Sequence, residues 1–204
     1  MLKNTNIILG GVKMLIDSIK TYNYKDYMLY DENEKIEIID GKVYNMSPAP
    51  SRIHQKIIME LSAEIRNYIK ANNGSCEVYP APFDVILKND DQNIEDSKNI
   101  VQPDISVICD ESKLTDNGCT GSPDMIIEVV SPYNPNNDFI RKLNLYDKYK
   151  VKEYWIVNPM KRNILVYKLD DKGSYGMPDI YTFQDTVKVG IYDELQIDFN
   201  LLNL

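Results

Sequence analysis

The chain has 204 residues, of which 43% are hydrophobic and 26% charged, with a net charge of −8 and an isoelectric point near 4.7. This composition excludes a disordered chain, and the acidic balance argues against binding nucleic acid through a broad basic face. A cation held in an acidic cleft would change the local sign of the field and remove that objection. We expect an N-terminal extension over 1–20 and a single domain over 21–204.

The first part of the domain predicts a hairpin followed by a long helix. A short helix is expected at 24–30, and the Asp-Gly pair within 36–44 is typical of a type I′ hairpin turn. After a loop at 47–51, Ser51 is expected to cap a helix of about five turns that ends at Asn73-Gly74. One apolar stripe runs along this helix, formed by Ile53, Ile57, Leu61, Ile65, Tyr68 and Ile69.

The rest of the chain predicts strands around one further helix. An extended segment at 76–87, bent at its prolines, and a polar loop at 88–99 precede two buried strands at 103–108 and 125–130. A loop-like connection over 110–123, rich in Gly, Asp and Ser, is expected to join these strands, and a second loop over 132–137 follows them. Asp138 is expected to cap a second helix that runs to about Tyr149, with Phe139, Leu143 and Tyr146 on its apolar side and Lys142 beside that stripe. Short strands follow from 153 to 199, so the fold class is α/β, with a mixed sheet flanked by helices and a β-rich C-terminal tail.

Each of the two buried strands carries one carboxylate where an apolar residue is expected. Asp104 follows Pro103, and Glu128 lies in the middle of MIIEVV. Buried carboxylates are costly unless they are paired or bind a metal, so this pair predicts an oxygen-ligand site for a hard cation. An Asp at the start of a strand can instead be a turn former, and we assign that structural role to Asp124.

The cysteines indicate a reducing compartment. Cys76, Cys109 and Cys119 are odd in number and lack zinc-ligand spacing, so no disulfide framework is expected and Cys109 is interpreted as a small apolar residue. Apolar runs stay well below the ~20 residues that span a bilayer, and Asn6–Met14 does not resemble a signal peptide. We therefore expect a cytoplasmic protein that does not insert into membranes.

Six segments, in order, resemble the Uma-two (Uma2) family of the PD-(D/E)xK nuclease superfamily, which includes type II restriction endonucleases. They span residues 22–160 and read YNYKDYMLY, IEIIDGKVYNMSPAPSRIHQ, VQPDISVI, GSPDMIIEVVSP, DFIRKLNLY and KEYWIVNP. The resemblance implies a restriction-endonuclease-like core, Mg²⁺ or Mn²⁺ at Asp104 and Glu128, and nucleic acid as substrate, DNA before RNA. It also implies a two-fold homodimer.

The superfamily's lysine, two residues after the acidic strand residue, is replaced here by Val130. The family resemblance assigns the role to Lys142 in the following helix, whereas the residue pattern alone favours a solvated lysine. The family also has Gly and Asp where this chain has Lys150 and Asn158, both outside the expected site.

Three further residues are candidates for the same site. The resemblance places Glu37 near the metal as an accessory ligand or water-orienting base, although strand alternation could turn it to solvent. The resemblance implies that His54, the only histidine, acts on a water or phosphate, whereas the residue pattern alone favours an exposed helix-start residue. Asp84 interrupts an apolar run as Glu128 does and is a candidate third metal ligand.

These features predict a metal-dependent endonuclease, with Asp104, Glu128, Lys142, Glu37 and His54 as catalytic residues. Two alternatives stay open. The first is a catalytically decayed nuclease-fold module that binds a structural or regulatory cation and a partner. The second is a hydrolase of a smaller phosphate ester.

Overall fold

The computed structural model describes residues 7–9, 12–14, 20–31, 34–46, 51–131 and 136–204, with side chains from Phe139 onward in the last range. Within these ranges the helices are α1 (Tyr24–Tyr27), α2 (Arg52–Ala71) and α3 (Asn136–Lys148). The strands of the same ranges are β1 (Ile7–Leu9), β2 (Val12–Met14), β3 (Ile36–Ile39), β4 (Lys42–Asn45), β5 (Glu77–Pro80), β6 (Val85–Ile86), β7 (Ile100–Val101), β8 (Ile105–Ile108), β9 (Leu114–Thr115), β10 (Gly118–Thr120), β11 (Met125–Val129), β12 (Glu153–Asn158), β13 (Asn163–Lys168), β14 (Asp179–Thr182), β15 (Thr186–Lys188) and β16 (Gln196–Asp198).

Two six-stranded mixed sheets organise the described residues. The central sheet has the order β14-β13-β12-β11-β8-β5. Its β11 and β12 are parallel and joined through α3, as a parallel pair requires a crossover. The second sheet has the order β4-β3-β7-β6-β10-β9, and β15 pairs with β16 in the C-terminal tail. The predicted α/β class with mixed sheets is confirmed.

Local signals in the sequence set the hairpin and the long helix where they were predicted. Asp40 and Gly41 have φ angles of 48° and 74°, which a type I′ turn between β3 and β4 requires. The Ser51 side chain accepts a hydrogen bond from the His54 backbone N–H and caps α2, whose apolar stripe is largely buried. No helix in the described part of the chain is both long and apolar enough to cross a bilayer.

Strand β11 faces two different layers, and this determines where Glu128 points. Met125, Ile127 and Val129 belong to the core cluster that includes the buried face of α2. Ile126 and Val130 belong to the cluster that includes α3. Because side chains alternate along a strand, Glu128 shares the face of Ile126 and Val130 and is directed toward α3.

Several predicted boundaries differ from the structure. Helix α3 begins at Asn136, so the prediction of Asp138 as its N-cap is wrong. The 110–123 connection, expected to be a loop, contains the β9–β10 hairpin, which joins the second sheet through β6. The predicted loops at 47–51 and 132–137 lie mostly outside the described residues. Most of the predicted extension over 1–20 also lies outside the described residues, which include only the paired strands β1 and β2 and Lys20 there. The extension stays a prediction.

The expectation of no disulfide is wrong, because Cys76 and Cys109 are bonded to each other. Strands β5 and β8 are antiparallel neighbours in which Glu77 pairs with Ile108. This register places the two residues just beyond that pair, Cys76 and Cys109, opposite each other. The register is a tertiary property that cysteine spacing does not encode. The disulfide removes the argument for a reducing compartment, and the cytoplasmic location stays a prediction.

Candidate active site

The two strand carboxylates predicted from the sequence lie side by side. Strands β8 and β11 are antiparallel, with Ile105 opposite Ile127, so Asp104 and Glu128 are the next cross-strand neighbours. The Val129 backbone N–H donates to Asp104 Oδ2 over 2.7 Å, which fixes the Asp104 side chain just before the start of β8. Glu128 is buried and Asp104 retains partial exposure.

Lys142 extends from α3 to the Glu128 carboxylate. Its Nζ lies 2.9 Å from Glu128 Oε1 and 3.0 Å from Glu37 Oε1. The Lys142 side chain is 6% exposed, so the alternative of a solvated lysine is wrong. Glu37 is also buried, because β3 lies between β4 and β7 and all four of its residues are covered. Val130, which occupies the superfamily's lysine position, lies on the same face of β11 as Glu128.

Tyr146 is a member of this network that sequence reasoning missed. Its hydroxyl donates to Glu128 Oε1 over 2.8 Å. Burial and the Glu128 charge raise the pKa of Tyr146 well above its ordinary value, so the hydroxyl keeps its proton as a donor. The sequence assigned Tyr146 to the apolar stripe of the helix. The available signal was its spacing, one turn after Lys142, which puts both polar ends on one face.

His54 joins the site through Asp104. Its Nε2 lies 3.3 Å from Asp104 Oδ2, and both side chains are largely covered. Burial alone lowers the pKa of His54, but the hydrogen bond and charge of Asp104, with smaller contributions from the Val129 backbone and the Glu128 charge, raise it above its ordinary value. The alternative of an exposed helix-start residue is therefore wrong.

The network is rich in acid and poor in compensating charge. Burial raises the pKa of Glu128 to about 8; Lys142 opposes this shift, and the charges of Asp104 and Glu37 add to it. Within the described part of the chain, the carboxylates of Asp104, Glu128 and Glu37 thus lie against Lys142 and His54. A buried carboxylate with so high a pKa is stabilised in its ionised form by any further cation that binds beside it.

The donor set consists of carboxylate oxygens, the ligand type that hard divalent cations prefer, although it does not form a complete cage. Among the described residues no group of three or more His, Cys, Asp or Glu side chains is arranged to hold a metal ion. Mg²⁺ is usually bound by one or two carboxylates together with water and substrate phosphate. Neighbouring carboxylates at Asp104 and Glu128 therefore suit a cation whose remaining ligands come from substrate and solvent.

Asp84 is not brought into this network. Its Oδ1 accepts hydrogen bonds from the Tyr27 hydroxyl and from Gln102 Nε2, over 3.1 and 2.7 Å. Burial raises its pKa, while these two donors lower it. Asp124 has the structural role assigned to it, since it accepts the Cys109 backbone N–H and pairs with Lys152.

Comparison with known proteins gives a family and a fold for this arrangement. Residues 24–200 match the model of the Uma2 family, described as "Putative restriction endonuclease". A relative from Synechocystis sp., described as "Uncharacterized protein slr1290", is 27% identical over 154 residues, which cover 74% of this chain and 76% of the relative.

A solved structure shares the fold at low sequence identity. It is described as a "putative nuclease belonging to DUF820" from Anabaena variabilis. The two structures superpose with a TM-score of 0.70 at 19% identity, covering 88% of this chain and 96% of the other. The fold expected from the sequence is thereby confirmed.

Proposed function

The chain belongs to the Uma2 family, and we propose that it is a metal-dependent nuclease that hydrolyses phosphodiester bonds, with DNA as the preferred substrate. One observation carries the proposal. Lys142 extends from α3 to Glu128, the cross-strand neighbour of Asp104, with its Nζ 2.9 Å from the Glu128 carboxylate. The acidic pair and a lysine therefore meet in one place, even though the lysine comes from a helix.

Asp104 and Glu128 are the residues that would hold Mg²⁺ or Mn²⁺. When bound, the cation supplies Lewis-acid polarisation of the scissile phosphate and acidifies a water molecule. His54 orients the Asp104 carboxylate through the contact at Oδ2. Tyr146 orients Glu128 through a hydrogen bond to Oε1, so the second oxygen, Oε2, is the one offered to the cation.

Lys142 and Glu37 act on the attacking water and the phosphate. The Lys142 ammonium has three donors, of which two are directed at Glu128 and Glu37. The positive charge of this ammonium beside the acidic pair can orient a water molecule and offset charge that develops on the phosphate. Glu37 holds Lys142 in this position and is a further carboxylate that can accept a proton from the water.

The substrate and assembly belong to the same proposal. An acidic chain binds a nucleic-acid backbone poorly unless cations reverse the local field, so binding of DNA is expected to depend on the divalent metal. Cleavage of both strands of a duplex requires two sites, which a two-fold homodimer would provide.

The test is cleavage of supercoiled plasmid in Mn²⁺, beside an RNA of similar length and a small phosphodiester. We expect nicked and linear plasmid from the natural chain and none from Asp104→Ala or from reactions with EDTA. Hydrolysis of the small diester alone would favour a phosphate-ester hydrolase. Plasmid cleavage that persists in Asp104→Ala would contradict the proposed site.

A decayed module that binds a cation and a protein partner is the second candidate. It is favoured by the net charge of −8 and by the absence, in the described residues, of a complete three-residue metal group. Binding of Mn²⁺ without hydrolysis of any of the three substrates would support this candidate.

A further inference from the structure

A cavity of about 290 Å³ lies beside the proposed active site, with Phe83, Asp84, Gln102, Asp116 and Asn117 among its lining residues. Gln102 connects the cavity to the proposed active site. Its backbone N–H donates to Glu37 Oε1 over 3.0 Å, and its side chain donates to Asp84 Oδ1 over 2.7 Å. Because Gln102 precedes Asp104 by two residues, their Cα atoms are at most about 7.6 Å apart. A nucleotide next to the scissile phosphate could therefore extend into the cavity.

The chemistry of the wall excludes a phosphate and favours a flat ligand with N–H donors. Asp84 and Asp116 present carboxylate oxygens, which accept hydrogen bonds and do not favour an anion. Phe83 supplies an aromatic wall and is held by Tyr79, whose ring is stacked on it at 4.2 Å. The volume lies at the small end of the range for ligand cavities, which suits a single aromatic base.

Specific contacts hold Asp84 in position in the cavity wall. Tyr27 and Gln102 both donate a hydrogen bond to Asp84 Oδ1. Within the described part of the chain, no residue donates a hydrogen bond to the side-chain oxygen Oδ2 of Asp84. Gly118 has a φ of 134°, and a Cβ there would lie 2.3 Å from the Asp84 carbonyl oxygen. Only glycine allows the β9–β10 hairpin to approach Asp84 this closely.

We propose that this cavity binds an extruded nucleobase, and guanine before the others, at the nucleotide adjacent to the cleaved bond. Guanine presents two neighbouring donors, the ring N1–H and the exocyclic amino group, to an acceptor-rich wall. Adenine and cytosine each offer one donor, the amino group, beside a ring-nitrogen acceptor on the same edge, and thymine offers one N–H between two carbonyls. Guanine also has an acceptor there, O6, but it alone offers two adjacent donors to the carboxylates of Asp84 and Asp116. The link to cleavage rests on the proposed nuclease function, whereas base binding can be measured without it.

The experiment is an NMR titration of the metal-free, full-length chain with guanosine and with inosine, which lacks the exocyclic amino group. The signals followed are the side-chain amides of Gln102 and Asn117. A hydrogen bond to a charged group is worth enough for guanosine to bind about tenfold more tightly than inosine. Asp84→Asn should abolish this difference. Asp171→Asn, an exposed aspartate in the turn after β13, should keep it.

A second variant guards against misfolding of Asp84→Asn. Asn117 is exposed on the hairpin, so Asn117→Ala should fold normally and weaken guanosine binding several-fold. Equal affinities for guanosine and inosine, or no shift with either nucleoside, would overturn the proposal. So would a loss of Mn²⁺ affinity in Asp84→Asn with the guanosine preference intact, because Asp84 would then be the third metal ligand that the sequence suggested.

The two proposals fail in different ways. Guanosine preference without plasmid cleavage supports the base cavity and contradicts the nuclease. Plasmid cleavage without guanosine preference supports the nuclease and overturns the base cavity.

Discussion

Replacing Lys142 with methionine should destabilise the fold strongly, because it leaves two buried carboxylates without their shared cation. The Lys142 Nζ lies 2.9 and 3.0 Å from oxygens of Glu128 and Glu37, and all three side chains are at most 8% exposed. Removing one partner of a buried ion pair costs about 3–5 kcal/mol. For a chain of 204 residues, each kcal/mol corresponds to roughly 2–4 °C, so a decrease in Tm of about 10 °C is expected.

The matched control is Lys148→Met on the same helix. Lys148 also contacts an acidic partner, Asp40, at 3.2 Å, but both side chains are more than half exposed. An exposed pair of this kind contributes about 0–1 kcal/mol, so Tm should change by less than about 4 °C. Thermal melts by circular dichroism in EDTA compare the two variants above the Glu128 pKa of about 8, where this carboxyl is ionised. Equal Tm values for Lys142→Met and Lys148→Met would refute the argument that Lys142 is buried against two carboxylates.

Three further predictions concern the cation and its surroundings. Mn²⁺ at 100 times its dissociation constant should stabilise the natural chain by about 2.7 kcal/mol relative to EDTA, and equal melts would count against a site at Asp104 and Glu128. The folded chain holds a proton on Glu128 up to a pKa of about 8, above the ordinary value of 4.5, so the native state binds more protons than the unfolded state between these values. Stability in EDTA should therefore fall as pH rises from 5 to 8, and Mn²⁺ affinity should rise over the same window; a pH-independent Mn²⁺ affinity would contradict this. Tyr146→Phe removes the donor that orients Glu128 and should weaken Mn²⁺ binding or cleavage about tenfold. Tyr167→Phe, in the same aromatic cluster, should leave Mn²⁺ binding and cleavage unchanged. Equal effects of the two changes would refute the role of Tyr146 in orienting Glu128.

The elements with strong local signals were predictable from the sequence. The Asp-Gly turn before β4 and the Ser51 cap of α2 depend on a few neighbouring residues, and both lie where the sequence placed them. Asp104 and Glu128 stood out because each is a carboxylate within an apolar run. The pattern identified the pair, and the antiparallel register of β8 and β11 explains why they are neighbours.

Features that depend on tertiary contacts were not predictable in this way. The helical pattern alone left Lys142 beside the apolar stripe, and only packing of α3 on the sheet directs it to Glu128. Tyr146 was hidden by its apolar ring, because periodicity does not show where a hydroxyl finds its acceptor. The Cys76–Cys109 bond follows from strand register, which spacing along the chain does not encode. The Asp84 carboxylate accepts hydrogen bonds from Tyr27 and Gln102, two partners distant in sequence that no local pattern indicates.

The most direct test of the account is single-turnover nicking of supercoiled plasmid at equal Mn²⁺ occupancy, measured below the Tm of every variant. The account predicts that the natural chain and Lys148→Met nick at similar rates. Lys142→Met should bind the metal and yet lose cleavage, because Lys142 acts on water and phosphate and is not a ligand. Nicking by Lys142→Met at the natural rate, or no nicking by the metal-loaded natural chain, would contradict the assignment of this network as a nuclease site.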